Sequence, residues 1–177
     1  MQLKKVKKTA ICGFAAALSV VLMLFTTVLP MLMYVLPLVC GVIVLFVSFI
    51  AGKRWAIGVF FSTAVLSFLF LADKETALVY VLFFGYYPLI KESVEKTKKA
   101  FSWIIKLVLF NCAAVAIGWL GVAFLGVSGE EYSEFGALTI PVLLAMANLV
   151  FFLYDILLKR CVFFIPIVAK KLVKILK

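Results

Sequence analysis

Long apolar stretches separated by short polar breaks run the length of this chain, and the breaks alternate in sign. At a rise of 1.5 Å per residue, about 20 residues cover a hydrocarbon core of ~30 Å. On that ruler the pattern predicts six helices, over residues 9–29, 31–50, 56–71, 76–90, 103–125 and 137–158. Pro30 and Pro37 bracket a tight first turn, Gly52-Lys53-Arg54-Trp55 forms the second, and Asp73-Lys74-Glu75 the third. The fourth stretch is short and ends in Gly85-Tyr86-Tyr87-Pro88, which predicts a tilted or locally broken segment. Residues 91–102 read as a charged linker or surface helix, and 126–136 as a Gly-, Ser- and Glu-rich loop. Over residues 161–177, Lys170, Lys171, Lys174 and Lys177 fall on one helical face. Val168, Leu172, Ile175 and Leu176 fall on the other, the pattern of a basic amphipathic helix on a membrane surface. The predicted fold class is all-α, a single membrane domain built as a six-helix bundle.

Charge fixes the expected orientation. Of the 18 Lys and Arg residues, only Lys74 falls on the acidic side of this path, with Asp73, Glu75, Glu130, Glu131 and Glu134. The basic breaks hold Lys4, Lys5, Lys7 and Lys8, then Lys53 and Arg54, then 91–99, then Lys159, Arg160 and the tail. Cytoplasmic loops retain Lys and Arg, so both termini are expected in the cytosol of a cell carrying this protein in its plasma membrane. The first apolar run follows a basic start, as in a removable signal peptide. However, it is longer than the usual signal core and no A-x-A site follows, so it is read as the first crossing.

Composition agrees with a lipid environment. The chain is 67% hydrophobic, against about 45–50% apolar residues in soluble domains. A net charge of +10 would suggest nucleic acid in a soluble protein. Here it belongs to loops facing an anionic leaflet, and no nucleic-acid partner is expected. Cys12, Cys40, Cys112 and Cys161 are widely spaced within or beside apolar runs, which supports neither a disulfide framework nor a metal site. Histidine is absent and no phosphate-binding glycine loop occurs, so His-based catalysis and nucleotide hydrolysis are not expected. The chain is read as a non-enzyme without a cofactor.

Polar groups inside apolar spans are costly and mark sites to inspect first. Lys106 and Asp155 each lie about one turn from the basic ends of their helices, which predicts an ion pair if those helices are antiparallel. Asp155 could also pair with Lys159 at i,i+4, and a proton relay is the alternative. Asn111 and Asn148 fall deeper, at similar depths, and could either bond each other or hold a ligand. At the acidic end, Asp73, Lys74, Glu75, Tyr80, Trp119, Glu130, Glu131 and Tyr132 could form an aromatic-floored small-molecule pocket. The alternative is an aromatic belt with solvated loop charges. On the first helix Ala10, Gly13 and Ala17, with Cys12, Ala16 and Ser19 beside them, give a small-residue face open to close helix packing.

The basic start, the first helix Lys7-Lys8-Thr9-Ala10 to Ala15-Ala16-Ala17-Leu18, six crossings and the apolar stretch 34–67 with its Gly-Lys-Arg turn resemble one family. It is the substrate-binding S components of energy-coupling factor transporters. The resemblance implies that Gly13 and Ala17, with Ala10 and Ala16 beside them, dock on a transmembrane coupling protein driven by ATPase subunits. It also implies a small-molecule ligand near the outer surface, held by helices 4 to 6. Residues Asp73, Lys74, Tyr80, Asn111, Trp119, Glu131 and Asn148 are the ligand-side candidates by position. The leading expectation is therefore a vitamin-like small-molecule binding subunit of a multicomponent importer. The alternative is a non-catalytic membrane scaffold. A binder requires an outward cavity exposing Trp119, Tyr80 or Asn148; a scaffold is close-packed there, with Asn111 and Asn148 bonded to each other.

Overall fold

Lysine and glutamate are good helix formers, so a helix need not stop where its apolar stretch stops. In the computed structural model, which describes residues 4–125 and 139–175, every regular element is helical. The elements are α1 (Lys5–Leu24), α2 (Val35–Ile50), α3 (Lys53–Phe70), α4 (Lys74–Val79), α5 (Tyr87–Glu95), α6 (Lys99–Leu125) and α7 (Thr139–Ile175). Short 3-10 turns at Phe25–Thr27 and Pro30–Leu32 join α1 to α2, and a π-helical turn, Tyr80–Phe84, joins α4 to α5. Five helical stretches among the described residues are long and apolar enough to cross a bilayer: Lys5–Thr27, Lys53–Phe70, Lys74–Glu95, Phe101–Ala123 and Pro141–Ala169. The sixth, α2, is apolar but has 16 residues, roughly 24 Å of rise.

The charged ends correct three boundaries. The 91–102 linker shrinks to Lys96–Lys98, because α5 continues to Glu95 and α6 starts at Lys99. The tail does not follow a break near 158–161; α7 continues without interruption as far as Ile175, carrying Pro166 inside the helix. Nothing between Leu158 and Cys161 opposes helix, since neither Gly nor Pro stands there. Hydropathy had marked where lipid ends, not where the backbone turns. The break expected in the fourth stretch is present, as the π turn followed by Gly85-Tyr86 and a Pro88-led α5.

α2 lies at the centre, in contact with α1, α3, α5 and α7. Ala15 and Ala16 of α1 pack with Val44 and Val47 of α2 and with Ala56 and Val59 of α3. Further along, Met23 packs with Cys40, Ala64, Leu71 and Tyr80. These contacts advance together along α1 and α3, so the two run parallel. Gly52 makes the α2–α3 turn in a left-handed conformation (φ 102°), which a side chain would strain. Phe83 is ringed by Phe84, Tyr87, Phe110, Phe151 and Tyr154 at centroid distances of 4.8–6.3 Å. That aromatic block joins the π turn to α6 and α7. The remaining apolar surface, including Phe14, Phe61, Val65, Val115, Met146 and Phe163, is exposed as a lipid-facing surface is.

Candidate functional site

Glu130 and Tyr132, expected at the acidic-end pocket, lie outside the described residues, and the described members of that set stand in different surroundings. Asp73 caps α4: its carboxylate accepts from the Glu75 N–H at 3.0 Å and from the Thr76 hydroxyl. Lys74 turns back to the end of α3 and donates to the carbonyls of Phe68 and Leu71, both at 2.6 Å. Tyr80 is fully buried among Met23, Cys40, Ala64 and Leu71. Trp119 stands exposed on α6, and Glu131 lies outside the described residues. Two open grooves flank α6. One, of about 600 Å³, is lined by Leu82, Tyr86, Phe101, Ile105, Leu109 and neighbours. The other, of about 500 Å³, is lined by Asn111, Cys112, Val115, Ala116 and Trp119. Neither includes Asp73, Lys74 or Tyr80.

Asn111 and Asn148 are bonded to each other. Each amide donates to the other's Oδ1, at 3.2 and 3.1 Å, and each gives its second N–H to its own helix, at Leu107 O (2.8 Å) and Leu144 O (2.7 Å). An amide nitrogen has two hydrogens, so all four donors are engaged and the pair is a clasp between α6 and α7. A double-mutant cycle with Asn111→Ala and Asn148→Ala is expected to return a coupling energy of about 0.6–1.7 kcal/mol. Additive losses would dissolve the clasp.

The polar centre of the molecule lies instead where the last turns of α5, the first turns of α6 and the middle of α7 meet. Asp155 is fully buried, and Lys91 and Lys106 are each 2% exposed. Asp155 Oδ1 accepts from the Tyr87 hydroxyl at 2.8 Å, from Lys106 Nζ at 3.1 Å and from Lys91 Nζ. Lys91 also donates to the Asp155 carbonyl at 2.7 Å. Lys159 Nζ stands 3.2 Å from Asp155 Oδ2, one turn along α7. Glu95 completes the group, 2.6 Å from Lys106 and 3.5 Å from Lys91. The expected Lys106–Asp155 and Asp155–Lys159 pairs are both present. Lys91, Glu95 and Tyr87 are additions, and all three sit on one face of α5 at i, i+4 and i+8. A buried charge is tolerable only when paired and hydrogen-bonded. This carboxylate gathers cations from three helices and ties them together. Among the described residues, no three His, Cys, Asp or Glu side chains converge as a metal site would need.

Directly beside this network the backbone is irregular for a local reason. Pro88 has no N–H, so the Phe84 carbonyl four residues earlier has no helical donor. The Tyr154 hydroxyl supplies one at 3.3 Å. Gly85 N–H reaches back to Tyr80 O at 2.7 Å, closing the wider π turn. The residue preceding Asp155 therefore braces the break whose far side carries Tyr87 and Lys91.

No protein-family model, no curated protein and no solved structure matches this chain.

Proposed function

We propose that the chain is a non-catalytic integral membrane subunit that works by assembling with another membrane protein. It sits in the plasma membrane with both termini cytoplasmic, an orientation supported by the segregation of Lys and Arg to one end. The observation carrying this reading is that the charged and amide side chains set among the helices are spent on one another. The Asn111–Asn148 clasp and the Asp155 network engage helix-to-helix partners, and Asp73 and Lys74 cap helix ends. Such groups make a rigid body; a ligand would find few of them available. Native mass spectrometry of gently extracted protein tests this. A stoichiometric membrane partner without a small molecule is expected, and a retained small molecule without a partner would overturn it.

The importer-subunit reading keeps one specific support, the outer face of α1. Ala10, Gly13 and Ala17 are exposed, while Ala16 is buried against α2 and α3 and belongs to the bundle's own core. A side chain at Gly13 would meet nothing within 4 Å. Gly13→Leu is thus expected to leave the thermal stability of the isolated protein unchanged while lowering partner recovery at least about tenfold, since close helix approach needs small residues. Undiminished recovery would remove α1 as the docking helix. Under this second reading, the partner is a transmembrane coupling protein with ATPase subunits, and a vitamin-like molecule co-purifies with the assembly.

A further inference from the structure

The Asp155 network does not balance. Lys91, Lys106 and Lys159 face two carboxylates, Asp155 and Glu95, so one positive charge is left over. The buried lysines have no room for another partner, whereas the Lys159 side chain is 47% exposed. Its ammonium lies 5.2 Å from the centroid of the Trp103 ring, and Lys106 lies 5.5 Å from the same ring. Trp103 in turn stacks on Phe152 at 5.8 Å. Phe152, Lys159 and Phe163 follow at i, i+7 and i+11, one stripe of α7, and both phenylalanines are exposed. A cation thus stands on an indole platform with apolar rings above and below it, at the membrane end that collects the basic residues. Tryptophan at this level marks the headgroup layer, and basic pockets between helices there take acidic headgroups.

We infer that Lys159 and Trp103 form a binding site for one phosphate-bearing anion, supplied by the headgroup of an anionic phospholipid whose acyl chains lie along Phe152. The phosphate completes the charge balance that Asp155 and Glu95 leave open. This inference is independent of which partner the subunit assembles with.

The test reads Trp103 directly. The full-length chain carrying Trp55→Phe and Trp119→Phe keeps Trp103 as its one indole. It is placed in phosphatidylcholine vesicles titrated with bromo-acyl phosphatidylglycerol, which quenches on contact, and compared with bromo-acyl phosphatidylcholine. Phosphatidylglycerol is expected to be preferred about tenfold, the contribution of one charge-assisted hydrogen bond. Lys159→Gln abolishes the preference, Lys159→Arg keeps it, and Arg160→Gln lowers it by no more than the roughly fivefold effect of any one surface cation. Unchanged helicity of Lys159→Gln in pure phosphatidylcholine separates loss of the site from loss of the fold. No preference in the parent, or equal losses in Lys159→Gln and Arg160→Gln, overturns the site. Abolition of the preference by millimolar glycerophosphate supports the same anion site with a soluble phosphate as its source.

Discussion

Asp155→Asn is expected to destabilise the protein by about 3–5 kcal/mol, the usual cost of removing one partner from a buried ion pair. The amide keeps the shape but not the charge. Lys91, Lys106 and Lys159 would then face Glu95 alone, and Lys91 and Lys106 are too deeply buried to reach water. Lys106→Met should cost less, because it removes one of three cations and leaves two lysines against two carboxylates. The exposed Lys96–Glu92 pair, 3.5 Å apart, provides the contrast: Lys96→Gln is expected to change stability by well under 1 kcal/mol. Equilibrium unfolding in mixed detergent micelles measures all three. A loss in Asp155→Asn no larger than in Lys106→Met would mean that the carboxylate is not the organising charge.

Much of this architecture is legible in the sequence because lipid imposes a simple rule on it. The spacing of apolar runs gives the helical stretches, and Gly85 to Pro88 announces the break between α4 and α5. Equal depth on neighbouring antiparallel helices brings together Lys106 with Asp155 and Asn111 with Asn148. The same rule hides Lys91. A charged residue after an apolar run reads as the start of a loop, yet here a distant carboxylate draws it into the interior. The local signal was the i,i+4 spacing of Tyr87, Lys91 and Glu95, which places three polar groups on one face of a continuing helix. Tyr80 fails in the opposite sense. Its position near a polar turn suggested a pocket wall, but the Asp73 cap sets a helical phase that points Tyr80 inward with Thr76, Ala77 and Phe84. Depth can be read from hydropathy, while rotation about a helix axis depends on neighbours that hydropathy does not specify.

Gly41→Ala should expose how tightly the broken helix is held. A methyl there would overlap the Phe84 carbonyl oxygen and stand 2.5 Å from the Tyr154 hydroxyl. The carbonyl cannot easily withdraw, because Pro88 has deprived it of a helical donor and Tyr154 is its replacement. The expected cost is near the upper end of the about 1–3 kcal/mol that overpacking incurs. By contrast, Gly118→Ala on α6 enters open space and gains helix propensity, so it should be neutral or slightly stabilising. Tyr154→Phe distinguishes two sources of the Gly41→Ala loss. If only the hydroxyl were crowded, its removal would rescue the alanine variant. Since the overlap with Phe84 O persists and that oxygen then loses its donor, the double variant is expected to be no more stable than Gly41→Ala alone. Rescue would show that the carbonyl can move, and that the π turn is an adaptable joint instead of a fixed brace behind the Asp155 network.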